Sequence, residues 1–282
     1  MASPTLAKKS SLNPIRRKSK QLPFPLNLYQ TAVGKKWVMA VTGIMLLGYV
    51  VAHMVGNLKM FIGIVEHDGG EIYDIDVYGE FLRELLVPIF PRTVFLWLLR
   101  GGLIAAGVLH IHAMYSLSRM NLTSNIQYKE KRTWLAANFA SRSMRYSGII
   151  VLFYIIFHLA DLTWGILPWY EFERGQTQWN LTQSLSNPVV AGFYIVANIL
   201  LSIHIFHGAY SMFQSLGINN PRYNSLRRSF ATGLAGLICL GNVAFPIALV
   251  SGYVEYNCSE VIPSEHHGLA DGCGQETNEV EQ

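Results

Sequence analysis

The sequence predicts an all-α membrane protein of five transmembrane helices, the first four forming a bundle, and three observations carry that prediction. Of the 282 residues, 51% are hydrophobic and only 14% are charged, the balance of a chain whose solvent is lipid. Five apolar runs, near 36–58, 94–118, 146–168, 188–215 and 230–253, are long enough to cross about 30 Å of hydrocarbon as helix, the form that lets a backbone satisfy its own hydrogen bonds there. Six of the nine histidines fall within these runs; each of the first four carries at least one and the fifth carries none.

The segment before the first span, 1–35, is polar and basic. It has no short apolar core followed by a small-residue cleavage site, so no cleaved signal peptide is read from it. Residues 1–36 hold eight Lys or Arg and no acid. The 119–145 loop holds six bases against Glu130, and the 216–229 loop holds Arg222, Arg227 and Arg228 alone. These faces are expected inside, because basic loops stay on the cytoplasmic side. The intervening segments are acidic: 59–93 has seven acids against three bases, 165–187 has Glu171 and Glu173 against Arg174, and the tail from 254 has seven acids and no base. The expected organisation is therefore a basic cytoplasmic segment, 1–35, a five-helix domain, 36–253, and an acidic external tail, 254–282.

Three cysteines are too few for a disulfide framework. Cys239 falls within a span, whereas Cys258 and Cys273 lie in the tail, where they either bridge in an oxidising compartment or stand as free thiols. No internal repeat, nucleotide-binding glycine fingerprint or nucleophile elbow is evident, and nothing points to nucleic acid as a partner. No catalytic acid, base or nucleophile stands out either.

Within the spans only Arg100 and Asp161 are charged. Ionisable groups at such depth are costly and commonly functional. Both fall toward the outer side, so they are expected to pair or Arg100 to meet a propionate, with snorkelling of Arg100 to the outer interface as the plainer alternative.

The intramembrane histidines are His53, His110, His112, His158, His204 and His207. Two ligands of one haem must sit at similar depth on different helices. Spans one and three run outward and place His53 and His158 toward the outer face. Spans two and four run inward, leaving His110 eight residues, roughly 12 Å, and His207 nine residues, roughly 14 Å, from the inner boundary. Neutral imidazoles in two such layers are suited to clamp two haem irons and carry electrons across the bilayer. His110 and His112 are about 200° apart on a helix, so one of them faces the bundle. The small stripe Gly102, Ala106 and Gly107 favours His110. His204 and His207 share a face; matched depth, with Gly208 and Ala209 following, favours His207. Gly56, one turn after His53, leaves room near the outer pair.

Four phrases carry a resemblance: VGKKWVMAVTGIMLLGYVVAHMVGNLKMF in span one, LHIHAMYSLSRMN in span two, ASRSMRYSGIIVLFYIIFHL at span three and HIFHGAYSMFQSLGINNPRYN at span four. Over roughly residues 33–253 the sequence resembles the cytochrome b subunit of succinate dehydrogenases and fumarate reductases, in the type with one five-span anchor and two haems. The resemblance implies His53 and His158 as axial iron ligands of an outer, distal haem b, and His110 and His207 as those of an inner, proximal one. It further implies a flavoprotein subunit, an iron–sulfur subunit docked on the inner face and a quinone, menaquinone in this type; whether the complex forms a higher oligomer is left open. The implied location is the bacterial cytoplasmic membrane, and the implied role is electron transfer within complex II rather than catalysis by this chain alone.

Lys35, Lys36, Arg142 and Arg145 are expected near the inner propionates or the docking surface, or else as ordinary inside flanks. Asp74, Asp76, Tyr78 and Glu80 are polar enough for an outer quinone site, or form only a solvated loop. Ile205 stands where certain fumarate reductases carry a glutamate, so no proton route is assigned. Three rivals stand beside this reading: the dihaem cytochrome b anchor of another respiratory dehydrogenase, a haem-poor anchor with a Rieske-like iron–sulfur centre, and a transporter or purely structural anchor.

Overall fold

The structure, a computed structural model, describes residues 23–24, 26–125, 135–218 and 220–263, the side chains of 122–142 excepted. Most of the basic segment, the end of the acidic tail with Cys273, and Arg142's side chain lie outside the described residues. Five helices are long and apolar enough to cross a membrane, and the chain is a multi-pass all-α membrane protein. In chain order the elements are α1 Leu26–Tyr29, α2 Ala32–Asn57, β1 Ile64–His67, β2 Gly70–Tyr73, α3 Asp74–Glu84, α4 Val94–Asn125, α5 Leu135–Leu162, α6 Thr177–Leu185, α7 Pro188–Ser215 and α8 Asn224–Val250.

The spans begin where capping chemistry allows. The Thr31 hydroxyl accepts from Gly34 N at 2.9 Å to start α2, and Asn187 accepts from Val189 N at 2.9 Å ahead of Pro188 to start α7, each satisfying N–H groups that a helix leaves unpaired. Position 34 must be glycine for α1 to fold back on α2, since a Cβ there would stand 1.9 Å from the Leu28 carbonyl oxygen. α2 packs on α4 and α7, α5 on α7, and α8 on α7 and α2. The first four spans therefore run α4, α2, α7, α5 around a partial ring, and among the described residues α4 and α5 do not pack together along their length. Exposed Leu98, Ile104 and Val108 on α4 and Phe153 on α5 suit a lipid-facing surface.

Several boundaries differ from the hydropathy reading, with α4 running on to Asn125 and α5 beginning at Leu135, and two further ones have a visible cause. The third span ends at Leu162, not 168, because Gly165 takes a left-handed φ of 61° and the chain folds back to place Trp169 and Tyr170 on Asp161. The fifth helix begins at Asn224, before the apolar run. Arg227 is buried there because its guanidinium donates to the Ile218 carbonyl at 2.6 Å and to Asn224, and lies over the Tyr210 ring.

A cap covers one end of the bundle. β1 and β2 form an antiparallel hairpin closed by Asp68 and Gly69, both at positive φ, the geometry of a type I′ turn. α3 follows, and α6 lies beside it. Rather than leaving the bundle as a free tail, the segment after α8 docks on the cap. Ile262 exchanges backbone hydrogen bonds with Glu71, and Tyr256 packs on Tyr73 with ring centres 4.8 Å apart. Met60, Ile72, Leu185, Ile238 and Leu249 fill the core beneath. Cys258, in this docked segment, is disulfide-bonded, and Cys239 is free.

Candidate cofactor site

The arrangement brings out a repeat not evident from the sequence read by itself. Met39, Thr42, Gly43, Tyr49 and His53 of α2 recur at the same spacing as Met144, Ser147, Gly148, Tyr154 and His158 of α5. The matching residues do matching jobs. Each tyrosine packs its ring at a tilt against the histidine one turn later, Tyr49 on His53 at 5.4 Å and 47° and Tyr154 on His158 at 5.9 Å and 38° between ring centres and planes. Each glycine receives an imidazole from the adjacent helix, as set out below.

In the outer layer, His53 and His158 face one another with ring centres 5.8 Å apart and planes at 76°. Imidazole nitrogens stand about 2.0 Å from a bound metal, so two rings on opposite sides of one ion have centres roughly 6 Å apart. The observed spacing fits a bis-histidine iron. His53 Nδ1 meets the Asn57 side-chain amide at 3.1 Å, and His158 Nδ1 meets the Tyr194 hydroxyl at 3.4 Å.

In the inner layer, His110 of α4 lies against Gly43, where a Cβ would stand 3.3 Å from its Cε1. Its Nδ1 donates to the Met39 carbonyl at 3.1 Å and lies 3.2 Å from the Thr42 hydroxyl. A carbonyl only accepts, so the proton is on Nδ1 and the lone pair on Nε2. His204 of α7 lies against Gly148 in the same way, with a Cβ there 3.2 Å from its Cε1, and its Nδ1 is 3.2 Å from the Ser147 hydroxyl. His207 differs: it directs Nε2 toward Ser143 Oγ at 3.5 Å. The layers are ten residues of α2 apart, from Gly43 to His53, roughly 15 Å.

Among the described residues, His53, His110, His158 and His204 share one pattern, with Nδ1 engaged and no hydrogen bond to Nε2. Ligating histidines characteristically have the second nitrogen held in this way. Sequence reasoning missed the holders, Asn57, Thr42, Ser147 and Tyr194. The spacing common to α2 and α5 is the one sequence signal that could have found Thr42 and Ser147.

His112 is exposed and bonds the Tyr29 hydroxyl of α1 at 2.6 Å, facing away from the layers as the helical angle predicts. Arg100 and Asp161 do not pair. Asp161 is buried against Trp169, Ser184 and Tyr194, whereas Arg100 lies over the Trp97 ring at 5.0 Å. The space expected at Gly56 for a macrocycle belongs to Tyr78, whose ring a Cβ there would meet at 2.6 Å. Gly102 and Gly107, by contrast, face open space. Lys35 is buried and donates to the Tyr29 carbonyl at 2.7 Å, holding α1, while Lys36 and Arg145 are exposed.

The polar residues after the first span form helix α3 rather than a solvated loop. Asp74 pairs with Lys59 at 2.7 Å, and Glu80 pairs with Arg83 and Arg92, which together hold its carboxyl below the usual range despite opposing desolvation. Asp76 is buried and accepts from the Thr177 and Gln178 backbone N–H groups, capping α6. Burial pushes its carboxyl up to about 7 against the lowering effect of those bonds. Among the described residues no cluster of three or more His, Cys, Asp or Glu forms, so they contain no cage for a Rieske-like centre, which needs two Cys with two His.

Residues 127–244, which take in α5, α6, α7 and most of α8, match the family model described as succinate dehydrogenase/fumarate reductase transmembrane subunit. No curated protein and no solved structure matches the chain.

Proposed function

We propose that the chain, whose residues 127–244 match the succinate dehydrogenase/fumarate reductase transmembrane subunit model, is a member of that family and anchors complex II as a dihaem cytochrome b. Its partners are then a flavoprotein subunit and an iron–sulfur subunit on the inner face. The observation that carries the reading is the facing pair of His53 and His158, at a separation that suits one iron between them. When bound, two haems b supply one-electron carriage between the iron–sulfur subunit and a quinone, taken here as menaquinone.

The chain's own residues do the rest. His53 and His158 hold the outer group, and Tyr49 and Tyr154 keep their rings from rotating. His110 and a histidine of α7 hold the inner group. Depth in the sequence favours His207 as that partner, but the shared seating on Gly43 and Gly148 and the engaged Nδ1 favour His204. Thr42, Met39 and Ser147 fix these tautomers, and the apolar flanks of α4 and α7 exclude water.

The described inner ends of the spans carry exposed Lys36 and Arg145, and acidic residues surround the cap. This asymmetry supports a cytoplasmic N-terminus and an external C-terminus in a bacterial cytoplasmic membrane. A disulfide at Cys258 suits the oxidising side. The test is purification with the co-expressed soluble subunits and a pyridine haemochrome assay, with two haems b per chain expected. Absence of haem overturns the reading, and co-purification with a different dehydrogenase favours the rival anchor.

A further inference from the structure

Asp161 lies in the last turn of α5, three residues after His158, and is fully buried. Three donors converge on its carboxylate: Ser184 Oγ of α6 at 2.6 Å, the Tyr194 hydroxyl of α7 at 2.8 Å and Trp169 Nε1 at 3.2 Å. The Tyr170 hydroxyl also donates to the Asp161 carbonyl, at 2.9 Å. A buried carboxylate is strongly unfavourable unless its oxygens are engaged. This one is engaged from three separate parts of the chain, so it has been built in rather than merely tolerated.

The direction of the hydrogen bonds follows from the chemistry. Tyr194 gives its single proton to Asp161, which leaves its oxygen as an acceptor toward His158 Nδ1 at 3.4 Å. The His158 proton therefore sits on Nδ1, and the Nε2 lone pair is left for the space shared with His53. The Tyr194 ring adds an edge contact to His158, with centres 5.9 Å apart and planes at 70°. Among the described residues no other layer histidine is linked to a charge in this way. His53 meets a neutral amide, His110 a carbonyl and a hydroxyl, and His204 a hydroxyl.

We propose that Asp161 is a positioning residue that acts through Tyr194 to fix the tautomer and ring orientation of His158 and to hold the reduction potential of the outer haem down. This rests on the dihaem reading above. A hydroxyl oriented by a carboxylate draws on the Nδ1 proton, makes the imidazole a stronger electron donor, and so favours the oxidised iron. Ser184 and Trp169 make the same carboxylate a tie between the cap and the outer histidine, so the potential of that haem depends on the packing of α6.

The experiment uses the whole complex with Tyr194→Phe and Asp161→Asn, reading each haem by redox titration and by the low-spin g values of its paramagnetic resonance. In both variants the outer midpoint is expected to move upward and its g values to shift, while the inner haem keeps both and the content stays at two per chain. Ser184→Ala removes a donor that competes with Tyr194 for the same carboxylate oxygen, so it is expected to move the outer midpoint slightly downward. An outer haem unchanged in Tyr194→Phe at full occupancy overturns the proposal, as do equal shifts of both haems. Should Asp161→Asn fail to assemble, Tyr194→Phe decides alone. A wild-type complex without haem instead overturns the function on which the proposal rests, a result that cannot be mistaken for unchanged potentials.

Discussion

His53 and His158, 105 positions apart in the chain, face one another across the bundle with ring centres 5.8 Å apart. Neither imidazole has a hydrogen-bond partner at Nε2 among the described residues, so under the dihaem proposal removing either ring would take away one of the two groups that would hold the outer haem. His53→Ala and His158→Ala are each expected to reduce haem content from two per chain to one, with the inner haem retained. Pyridine haemochrome assay and reduced spectra measure this, and retention of both haems in either variant contradicts the outer layer.

The inner layer divides on α7. His204→Ala is expected to lose the inner haem, whereas His207→Ala keeps it, because His207 directs Nε2 to Ser143 rather than leaving it free. His112→Ala is expected to keep both haems, since that ring is exposed and bound to Tyr29. The reverse result at 204 and 207 would return the ligand to the residue that depth alone favours.

Bulk at the two seating glycines tests the same layer without touching a histidine. A Cβ at Gly43 or Gly148 already approaches the imidazole to 3.3 or 3.2 Å, and the branches of valine reach further. Overpacking of this kind typically costs about 1–3 kcal/mol. Gly43→Val and Gly148→Val are expected to lower inner haem occupancy selectively, read as the ratio of the two haem signals.

The Asp76 carboxyl titrates at about 7 in the folded protein, because burial outweighs the bonds from Gln178 and Thr177, against about 3.9 in an unfolded chain. The folded state thus binds more protons between these values, and stability falls as pH rises through that window before levelling above about 7. The full effect is on the order of 4 kcal/mol. Amide protection factors in α6, which divide out the intrinsic base catalysis of exchange, are expected to be higher at pH 5 than at pH 8, and Asp76→Asn is expected to flatten that dependence. An unchanged pH profile in the variant would assign the effect to another group.

The spans, their number and the placement of the histidines were legible because apolar length and histidine depth are local properties. Span ends were less so: the third helix stops at Leu162 because Trp169 and Tyr170 fold back onto Asp161, and the fifth starts early because Ile218 and Asn224 neutralise the cost of burying Arg227. The order of the cap is not legible in the sequence, because it comes from Asp76 gripping the start of α6, a contact between residues about a hundred positions apart.

By itself the sequence determined a five-span membrane chain with an imidazole on each of the first four spans, since crossing lipid demands apolar length and a polar side chain at that depth stands out. Tertiary structure decided which imidazoles meet, which nitrogen each leaves free, that Asp161 serves Tyr194 rather than Arg100, and that Gly56 seats Tyr78. The physical reason is reach. Hydropathy and helical period act within one helix, whereas a ring's orientation is set by a glycine, a hydroxyl or a carbonyl on the helix packed beside it.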